Sequence, residues 1–172
     1  MVTLPPFERV VADHGEVVLR VCRALLEPTD ADDAWSETFL AALRAYPGLR
    51  SDSNVRGWLV TIAHHKSIDV LRRRARRPRP TGALPERGVD GGFGATALDD
   101  DLRDVVTALP PTQQAAVVYR YLADLPYEEV ARLLDSTEAA ARRAAADGIA
   151  ALRRALAPPS TPSPSPAPGG VR

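Results

Sequence analysis

The sequence is poor in cysteine and in long apolar runs. Cys22 is the single cysteine among 172 residues, so no disulfide can form within the chain, which suits a reducing cytosol. No apolar run approaches the roughly 18 residues that a membrane-spanning helix needs. The first residues also lack the basic-then-apolar pattern of a signal peptide. The sequence therefore predicts a soluble, cytoplasmic protein with no membrane partner.

Motifs that carry catalysis are also missing. We find no Gly-rich phosphate loop, no convincing pair of carboxylates and no nucleophile motif. His64 and His65 are adjacent, so on a helix their side chains would point about 100° apart, which does not suit one metal ion. We therefore expect no enzymatic activity, no catalytic residue, no metal site and no other cofactor.

The apolar residues that are present predict helices. They make up 45% of the chain, but aromatic residues only 5%, so small cores of Ala, Leu and Val are expected. No segment shows the period of two that is typical of a strand. The first predicted helix runs from Phe7 to Leu26. The second is capped by Asp30 or Asp32 and carries one buried stripe of Trp35, Phe39, Leu43 and Tyr46. The third is capped by Ser53 or Asn54 and runs to about Arg77.

Proline and glycine divide the chain into two parts. Residues 78–98 are rich in Pro, Gly and charge and predict a flexible linker. Residues 158–172 are a Pro/Ser-rich, low-complexity tail and are expected to be disordered. The predicted fold class is all-α, with small helical domains at residues 7–77 and 99–157 joined by that linker.

Charge is balanced in total but separated along the chain. The 22 basic and 22 acidic residues cancel. Residues 1–50 nevertheless hold five basic and eight acidic side chains, whereas residues 51–80 hold eight basic and two acidic ones. Such separation selects partners more strongly than the total charge does.

The acidic side chains gather at the start of the second helix, at Asp30, Asp32, Asp33 and Glu37. A negative helix surface suits a basic protein partner. Acids also stabilise a helix N-terminus by themselves, so these residues alone leave both interpretations open.

The basic side chains crowd the end of the third helix. Helical spacing places Thr61, His65, Asp69, Arg72 and Arg76 on one polar face. Guanidinium groups there can contact several phosphates, and release of counterions favours binding. Arginines also offset the negative end of a helix dipole, but five of them in the six positions from 72 to 77 exceed that need. We predict contact with nucleic acid.

Residues 124–156 fit a helix-turn-helix, with an ordinary helical hairpin as the alternative. A short helix, a tight turn capped by Ser136 or Thr137 and a longer helix follow one another. Arg142 and Arg143 lie near the start of the longer helix, where such motifs contact DNA. Its inner stripe is predicted to be Ala141, Ala145, Ile149, Leu152 and Leu156.

In this order and spacing, the two halves resemble bacterial extracytoplasmic-function (ECF) RNA polymerase sigma factors of the sigma-70 family. The segment DADDAWSETF and the segment GWLVTIAHHKSIDVLRRR are similar to parts of that family's region 2. The segment LPPTQQAAVVYRYLADLPYEEVARLLDSTEAAARR is similar to its region 4. The likeness covers nearly everything from Phe7 to Leu156.

The resemblance implies a specificity subunit that binds core RNA polymerase and promoter DNA, with an anti-sigma factor as a candidate third partner. The polymerase-binding residues would be Asp30, Asp32, Asp33, Ser36, Glu37 and Phe39. The first domain would melt and hold the −10 element through Asp52, Ser53, Asn54, Trp58, Thr61, His65, Lys66, Arg72, Arg73 and Arg76. The second domain would read the −35 element through Thr137, Arg142 and Arg143.

The sequence departs from the family pattern at three places. Ser36 stands where the family usually has Gln, and His65 stands where Asn is common. The recognition helix carries Ala144, Ala146 and Asp147, which leaves it with few groups that could read bases.

The sequence predicts an acidic docking surface and a basic strand-binding surface placed back to back on one small helical body. Two alternatives remain open beside the sigma factor. One is a helix-turn-helix transcriptional regulator with a sigma-like fold that does not engage polymerase, and the other is a helical interaction module.

Overall fold

A computed structural model of the protein describes residues 4–76 and 100–157. Secondary structure in these residues is entirely helical, which confirms the all-α prediction. The predicted linker and the predicted tail lie outside the described residues. Among the described helices, none is both long and apolar enough to cross a membrane.

The first three helices form one bundle. They are α1 (Phe7–Leu25), α2 (Pro28–Ala45) and α3 (Val55–Arg76), and a 3-10 turn (Tyr46–Gly48) follows α2. Their shared core is built largely from small aliphatic residues, because the sequence offers few aromatic ones. Cys22 is fully buried there as a small core residue. The buried members are Val10, Val17, Val18, Cys22, Leu26, Ala31, Ala34, Phe39, Ala42, Leu59, Ala63 and Val70.

The start of α2 differs from the prediction. Neither Asp30 nor Asp32 caps the helix, because α2 already begins at Pro28, with Glu27 in the N-cap position and no side-chain cap. Proline suits the first helical position, since its φ is helical and its missing N–H would have had no partner there. The two predicted capping residues therefore lie inside the helix.

The predicted aromatic stripe of α2 is correct except at Leu43. Phe39 is buried and Trp35 and Tyr46 are half-buried, whereas Leu43 is 51% exposed. At about 100° per residue, Phe39 and Tyr46 lie within about 40° of Trp35, but Leu43 lies about 80° away. Leu43 therefore falls at the edge of the stripe, where solvent reaches it.

Of the two predicted capping residues, Ser53 and Asn54, it is Asn54 that caps α3. Its Oδ1 accepts a hydrogen bond from the backbone N–H of Gly57 at 3.1 Å, which pairs one of the free donors of the first turn. Leu59, Ala63 and Val70 then face the core of the bundle.

A second bundle contains α4 (Asp100–Thr107), α5 (Pro111–Val117), α6 (Tyr127–Leu133) and α7 (Glu138–Leu156). A π-helical turn at Val118–Leu122 continues α5 and was not foreseen. Of the two predicted caps of α7, Thr137 is the one observed, and its Oγ1 accepts a hydrogen bond from the backbone N–H of Ala140 at 3.2 Å.

The turn between α6 and α7 has the hydrogen bonds of a Schellman motif. The N–H of Ser136 donates to the carbonyl of Ala131 at 2.9 Å, and that of Asp135 to Arg132 at 3.3 Å. Asp135 adopts a φ of 48°, a left-handed conformation that aspartate tolerates better than most residues. This turn fixes the angle between the two helices.

The inner stripe of α7 is as predicted except at its last residue. Ala141, Ala145 and Leu152 are buried, but Leu156 is 51% exposed. Leu156 is the last residue of a 19-residue helix, and the α5 helix that packs against α7 has only 7 residues. As the terminal residue, Leu156 lies where a helix has fewer neighbours to cover it.

The two bundles pack against each other. Val21, Ala24 and Val60 of the first bundle join the buried apolar cluster of the second. Across the boundary, Gln114 Nε2 donates to the carbonyl of Ala24 at 2.7 Å. The hydroxyl oxygen of Tyr119, on the π-helical turn, lies 2.6 Å from Nδ1 of His64.

Candidate polymerase-docking and nucleic-acid surfaces

One face of α2 combines acidic and apolar side chains. Asp33, Ser36, Leu40 and Leu43 recur at three- and four-residue spacing and are all exposed. Leu40 and Leu43 are 55% and 51% exposed, among the largest exposed apolar side chains of the described residues. We call these four residues the α2 outer face. Its mixture of carboxylate and leucine is typical of a surface that binds another protein.

The four predicted acidic residues point in two directions. Asp32 and Asp33 face outward, and Asp32 also lies 3.4 Å from Arg23. Asp30 and Glu37 instead face α3. Asp30 is paired with Arg74, and Glu37 lies 3.4 Å from Lys66 and 4.0 Å from Arg73.

Phe39 differs from the other residues assigned to polymerase binding, because its ring is buried. The ring centroid lies 4.8 Å from that of Trp35 and 6.4 Å from that of Phe7. Trp35 Nε1 donates to the carbonyl of Gly15 at 2.9 Å, which fixes the stack. Phe39 therefore shapes α2 from inside the bundle.

The basic end of α3 borders an open groove. Arg72, Arg73 and Arg76 line it together with Glu37 and Asp69, and the three arginines are exposed. Three guanidinium groups around one concavity suit a phosphate or a chain of phosphates.

The prediction of back-to-back charged surfaces is wrong in its geometry. Glu37 pairs with Lys66 and Arg73 across the contact between α2 and α3, so the acidic and basic surfaces share an edge. The reason is that α2 and α3 are direct neighbours in a three-helix bundle, and oppositely charged side chains on facing edges pair at little cost.

The predicted base-capture turn lies at the other end of α3. Asp52 is held by Arg50 at 2.8 Å, and Asn54 is exposed as well as capping the helix. Since α3 spans 22 residues, this turn and the arginine groove lie about 30 Å apart. They are two subsites along one helix rather than one pocket.

The residues between these subsites follow one side of α3. Trp58 is half-buried, with its ring 6.4 Å from that of Tyr46. Thr61 is also half-buried and donates to the carbonyl of Gly57 at 2.8 Å. His65 is exposed, while Lys66 is partly covered beside Glu37. A stacking ring, a hydroxyl, an imidazole and an amine therefore connect the turn to the groove.

The three predicted DNA-contacting residues of the helix-turn-helix are exposed at the start of α7. Arg142 is held by Glu138 at 2.7 Å and lies over the ring of Tyr127 at 4.4 Å. Arg143 points to solvent beside it. Tyr127 also faces Arg120 at 5.2 Å, so a cation–π contact positions the arginine.

Sequence reasoning missed Leu40, Arg56 and Tyr127, and it assigned Leu43 to the core. Leu40 and Leu43 could have been found from their helical spacing with Asp33 and Ser36. Arg56 lies in the first turn of α3, beside Asn54, and its side chain is 43% exposed. The contact between Tyr127 and Arg142 joins two helices and leaves no signal in the sequence.

A helical bundle with a helix that ends in a basic cluster, joined to a helix-turn-helix bundle, is typical of DNA-binding transcription proteins. Residues 10–77 match the family described as sigma-70 region 2, and residues 99–152 match sigma-70, region 4. The chain belongs to the sigma-70 family, and several of its relatives are described as ECF sigma factors.

Similar curated proteins are described as RNA polymerase sigma factors. The ECF RNA polymerase sigma factor SigC of Mycobacterium tuberculosis is 35% identical over 117 residues, which are 66% of this chain and 63% of that protein. The RNA polymerase sigma factor YlaC of Bacillus subtilis is 30% identical over 115 residues, 60% of this chain and 64% of that protein. The matched part thus spans less than two thirds of these relatives.

Solved structures share the fold. The sigma factor RpoE from Bartonella quintana, in complex with the anti-sigma factor NepR, superposes with a TM-score of 0.74 at 16% identity, over 87% of this chain and 96% of that one. CnrH, in complex with the cytosolic domain of CnrY, gives a TM-score of 0.62 at 20% identity. At this identity the likeness shows the fold alone.

Proposed function

We propose that this protein is a cytoplasmic sigma factor that binds core RNA polymerase, directs it to a subset of promoters and catalyses no reaction itself. The observation that carries the proposal is the pairing of two surfaces on one bundle. The α2 outer face suits a protein partner, and the adjoining α3 presents polar and basic side chains along its length to a nucleic-acid strand.

Docking on polymerase would use the α2 outer face with Asp32. Burying Leu40 and Leu43, each about half exposed, would supply the apolar part of the affinity. Asp32 and Asp33 would steer the encounter with a basic surface and fix its orientation. Ser36 lies between these groups, and Asp30 and Glu37 would support the neighbouring basic residues of α3.

Capture of the −10 element would proceed along α3. The turn at Asp52, Ser53 and Asn54 would hold an extruded base. Trp58, Thr61, His65 and Lys66 would then line the path of the unpaired strand, with stacking by the indole ring. The strand would end in the groove of Arg72, Arg73 and Arg76, where guanidinium groups meet phosphates.

Recognition of the −35 element would fall to Thr137, Arg142 and Arg143 at the start of α7. The Glu138 partner of Arg142 is 54% exposed. An exposed ion pair of this kind contributes little, about 0–1 kcal/mol, so DNA can replace Glu138 as the partner of the guanidinium. The few other polar groups of α7 predict weak base readout in this element.

Charge reversal on α2 tests the docking step. The variant Asp32→Lys with Asp33→Lys should lose co-migration with core RNA polymerase at low ionic strength, by about tenfold or more in affinity, because two steering charges become repulsive. The matched control is Glu8→Lys with Asp13→Lys, an equal charge change on exposed positions of α1.

The expected result is loss of binding in the α2 variant alone, together with loss of run-off transcription. Equal binding by both variants would overturn the docking surface. If neither the wild type nor any variant bound polymerase while DNA binding persisted, the chain would be a regulator that does not engage polymerase.

A further inference from the structure

One aromatic ring of the second bundle has two arginines beside it. The guanidinium carbon of Arg142, on the recognition helix α7, lies 4.4 Å from the centroid of the Tyr127 ring. The guanidinium carbon of Arg120, on the π-helical turn, lies 5.2 Å from the same centroid. Since Tyr127 begins α6, its ring links three elements of the bundle.

The Tyr127 ring is itself held by two kinds of contact. Its side chain is half-buried and packs against the apolar core of the second bundle. The neighbouring Arg120 is tethered, because its Nη1 donates to the carbonyl of Leu125 at 3.1 Å and lies 3.5 Å from Asp124. The ring therefore offers Arg142 a fixed support.

Arg142 has two restraints, and DNA would affect them differently. Its Nη2 donates to Glu138 Oε1 at 2.7 Å, but both side chains of this pair are more than half exposed, so a base or a phosphate can replace the carboxylate. The Tyr127 ring attracts the guanidinium as a cation and occupies none of its N–H donors. The contact with Tyr127 can therefore persist while the donors of Arg142 bind a base.

The start of α7 has few other groups that could read a base. Its exposed residues include Ala139, Ala140 and Ala146, whose side chains form no hydrogen bonds. Arg143 is exposed too and, within the described residues, has no ion pair or ring contact that would restrict its direction. Arg142 is thus the cation of this surface whose direction the protein itself restrains.

A restrained guanidinium suits one base in particular. Arginine can donate two parallel hydrogen bonds to O6 and N7 of guanine in the major groove, and this is its commonest specific contact. Both bonds need the planar fork of donors to be aligned with the base edge. An arginine that is already oriented loses less side-chain entropy when it binds, so its preference for guanine is stronger.

We propose that Tyr127 is a positioning residue for base recognition, which holds Arg142 in the orientation that reads a guanine of the −35 element. The inference rests on the proposed function of the start of α7 and names the residue that sets its specificity. Tyr127 touches no base in this role and acts through Arg142. A helix with one oriented arginine among alanines reads one base pair strongly and the neighbouring pairs weakly.

The first experiment detects the contact in the free full-length protein. Side-chain protons of Arg142 that lie over the Tyr127 ring should be shifted upfield by its ring current in NMR spectra of protein with isotope-labelled arginine. Tyr127→Leu should remove this shift, whereas Tyr127→Phe retains a ring and should retain the shift. An Arg142 signal that is the same in the wild type and in Tyr127→Leu would overturn the proposal.

The second experiment measures base preference in the complex of the full-length protein with core RNA polymerase. The complex selects from DNA duplexes with a randomised segment long enough for both promoter elements, and the bound duplexes are sequenced. The base pair whose preference disappears in Arg142→Ala is the one that Arg142 reads. Tyr127→Leu should weaken the preference for guanine there by about twofold to fivefold, the range of an exposed cation–π contact, and Tyr127→Phe should keep it.

Preferences at the other selected positions should match the wild type in all these variants, which controls for folding and for polymerase binding. A double-mutant cycle then separates positioning from a general loss of structure. In the Arg142→Ala background, Tyr127→Leu should change the affinity for the selected duplex by less than about twofold. In the matched Arg143→Ala background, the contact between Tyr127 and Arg142 remains, so Tyr127→Leu should have its full effect.

The outcomes separate this inference from the proposed function. If Arg142→Ala loses a base preference that Tyr127→Leu keeps, or if Tyr127→Leu costs equal affinity in both backgrounds, Tyr127 does not position the arginine. The inference then fails, while base recognition by α7 stands. If Arg142→Ala changes no preference, or the wild type selects no sequence, the role assigned to the start of α7 fails and the positioning role fails with it.

Discussion

At the residue scale, the pair of His64 and Tyr119 links the two bundles most directly. Burial lowers the pKa of His64, and the neighbouring His65 lowers it further. Burial also raises the pKa of Tyr119. Both side chains are therefore neutral at pH 7, and the Tyr119 hydroxyl oxygen lies 2.6 Å from Nδ1 of the imidazole, within hydrogen-bond distance. In the tautomer whose Nδ1 accepts this bond, protonation of that nitrogen removes the acceptor.

This pair predicts acid sensitivity with a defined sign. The pKa of His64 is lower in the folded protein than in the unfolded chain. The unfolded chain therefore binds more protons as the pH falls below the ordinary histidine pKa of about 6.5. The free energy of unfolding therefore decreases as the pH falls below that value, by at most about 1.4 kcal/mol per pH unit for one histidine. Solvent screening of the half-buried ring reduces this slope.

The variant His64→Asn tests the prediction, because Asn can accept the Tyr119 hydrogen bond without titrating. Urea unfolding midpoints at pH 7.5 and 5.5 should differ less in this variant than in the wild type. The control is His65→Asn at the exposed neighbouring position. His14, whose pKa burial also lowers, is common to all three proteins. An unchanged pH dependence in His64→Asn would contradict the assignment.

At the element scale, the close approach of α5 and α7 shapes the second bundle. Gly148 is buried in α7, and a Cβ there would lie 2.6 Å from Val117 Cγ2 and 3.2 Å from the carbonyl oxygen of Gln113. Since the second of these is backbone, it cannot move aside as a side-chain end could. The absence of a side chain lets α5 pack directly on the recognition helix.

Gly148→Ala should therefore destabilise the protein although alanine favours helices. Alanine gains about 1 kcal/mol of helix propensity over glycine, and overpacking costs about 1–3 kcal/mol, so we expect a net loss of about 1 kcal/mol. Thermal unfolding measures it. The control, Gly48→Ala, meets no atom within 4 Å and should be near neutral. A stabilised Gly148→Ala protein would show that the helices can separate without penalty.

At the scale of the whole molecule, separated charge selects partners while total charge stays at zero. The exposed arginines at the end of α3 adjoin acidic residues of α2, so the proposed nucleic-acid surface and the proposed protein surface are neighbours on one bundle. A uniformly basic chain would bind nucleic acid over its whole surface.

The salt dependence of DNA binding tests this division. Arg72→Ala with Arg76→Ala should reduce the slope of log affinity against log salt by about 1.4, since each phosphate contact on a single strand contributes about 0.7. The control removes Arg9 and Arg132, whose side chains are 70% and 69% exposed on other parts of the surface. Equal slopes in both variants would mean that the groove does not contact phosphates.

The sequence alone predicted the features that depend on residues close together in the chain. Helical spacing predicted the all-α fold and the buried stripes of α2 and α7 except at Leu43 and Leu156, and short polar residues at Asn54 and Thr137 predicted the caps. The motifs around Trp35 and Arg142 predicted the family. Each of these features depends on residues a few positions apart, which is the range over which spacing carries information.

What the sequence by itself determined, then, is the two bundles, their charged surfaces and their family. Only the tertiary structure decided that Glu37 pairs with α3, that Leu43 is exposed, and that Glu129 lies against Asn54 at 3.5 Å. These contacts join residues up to 75 positions apart in sequence. They depend on how the helices pack, and packing angles and distances leave no periodic signal in the chain.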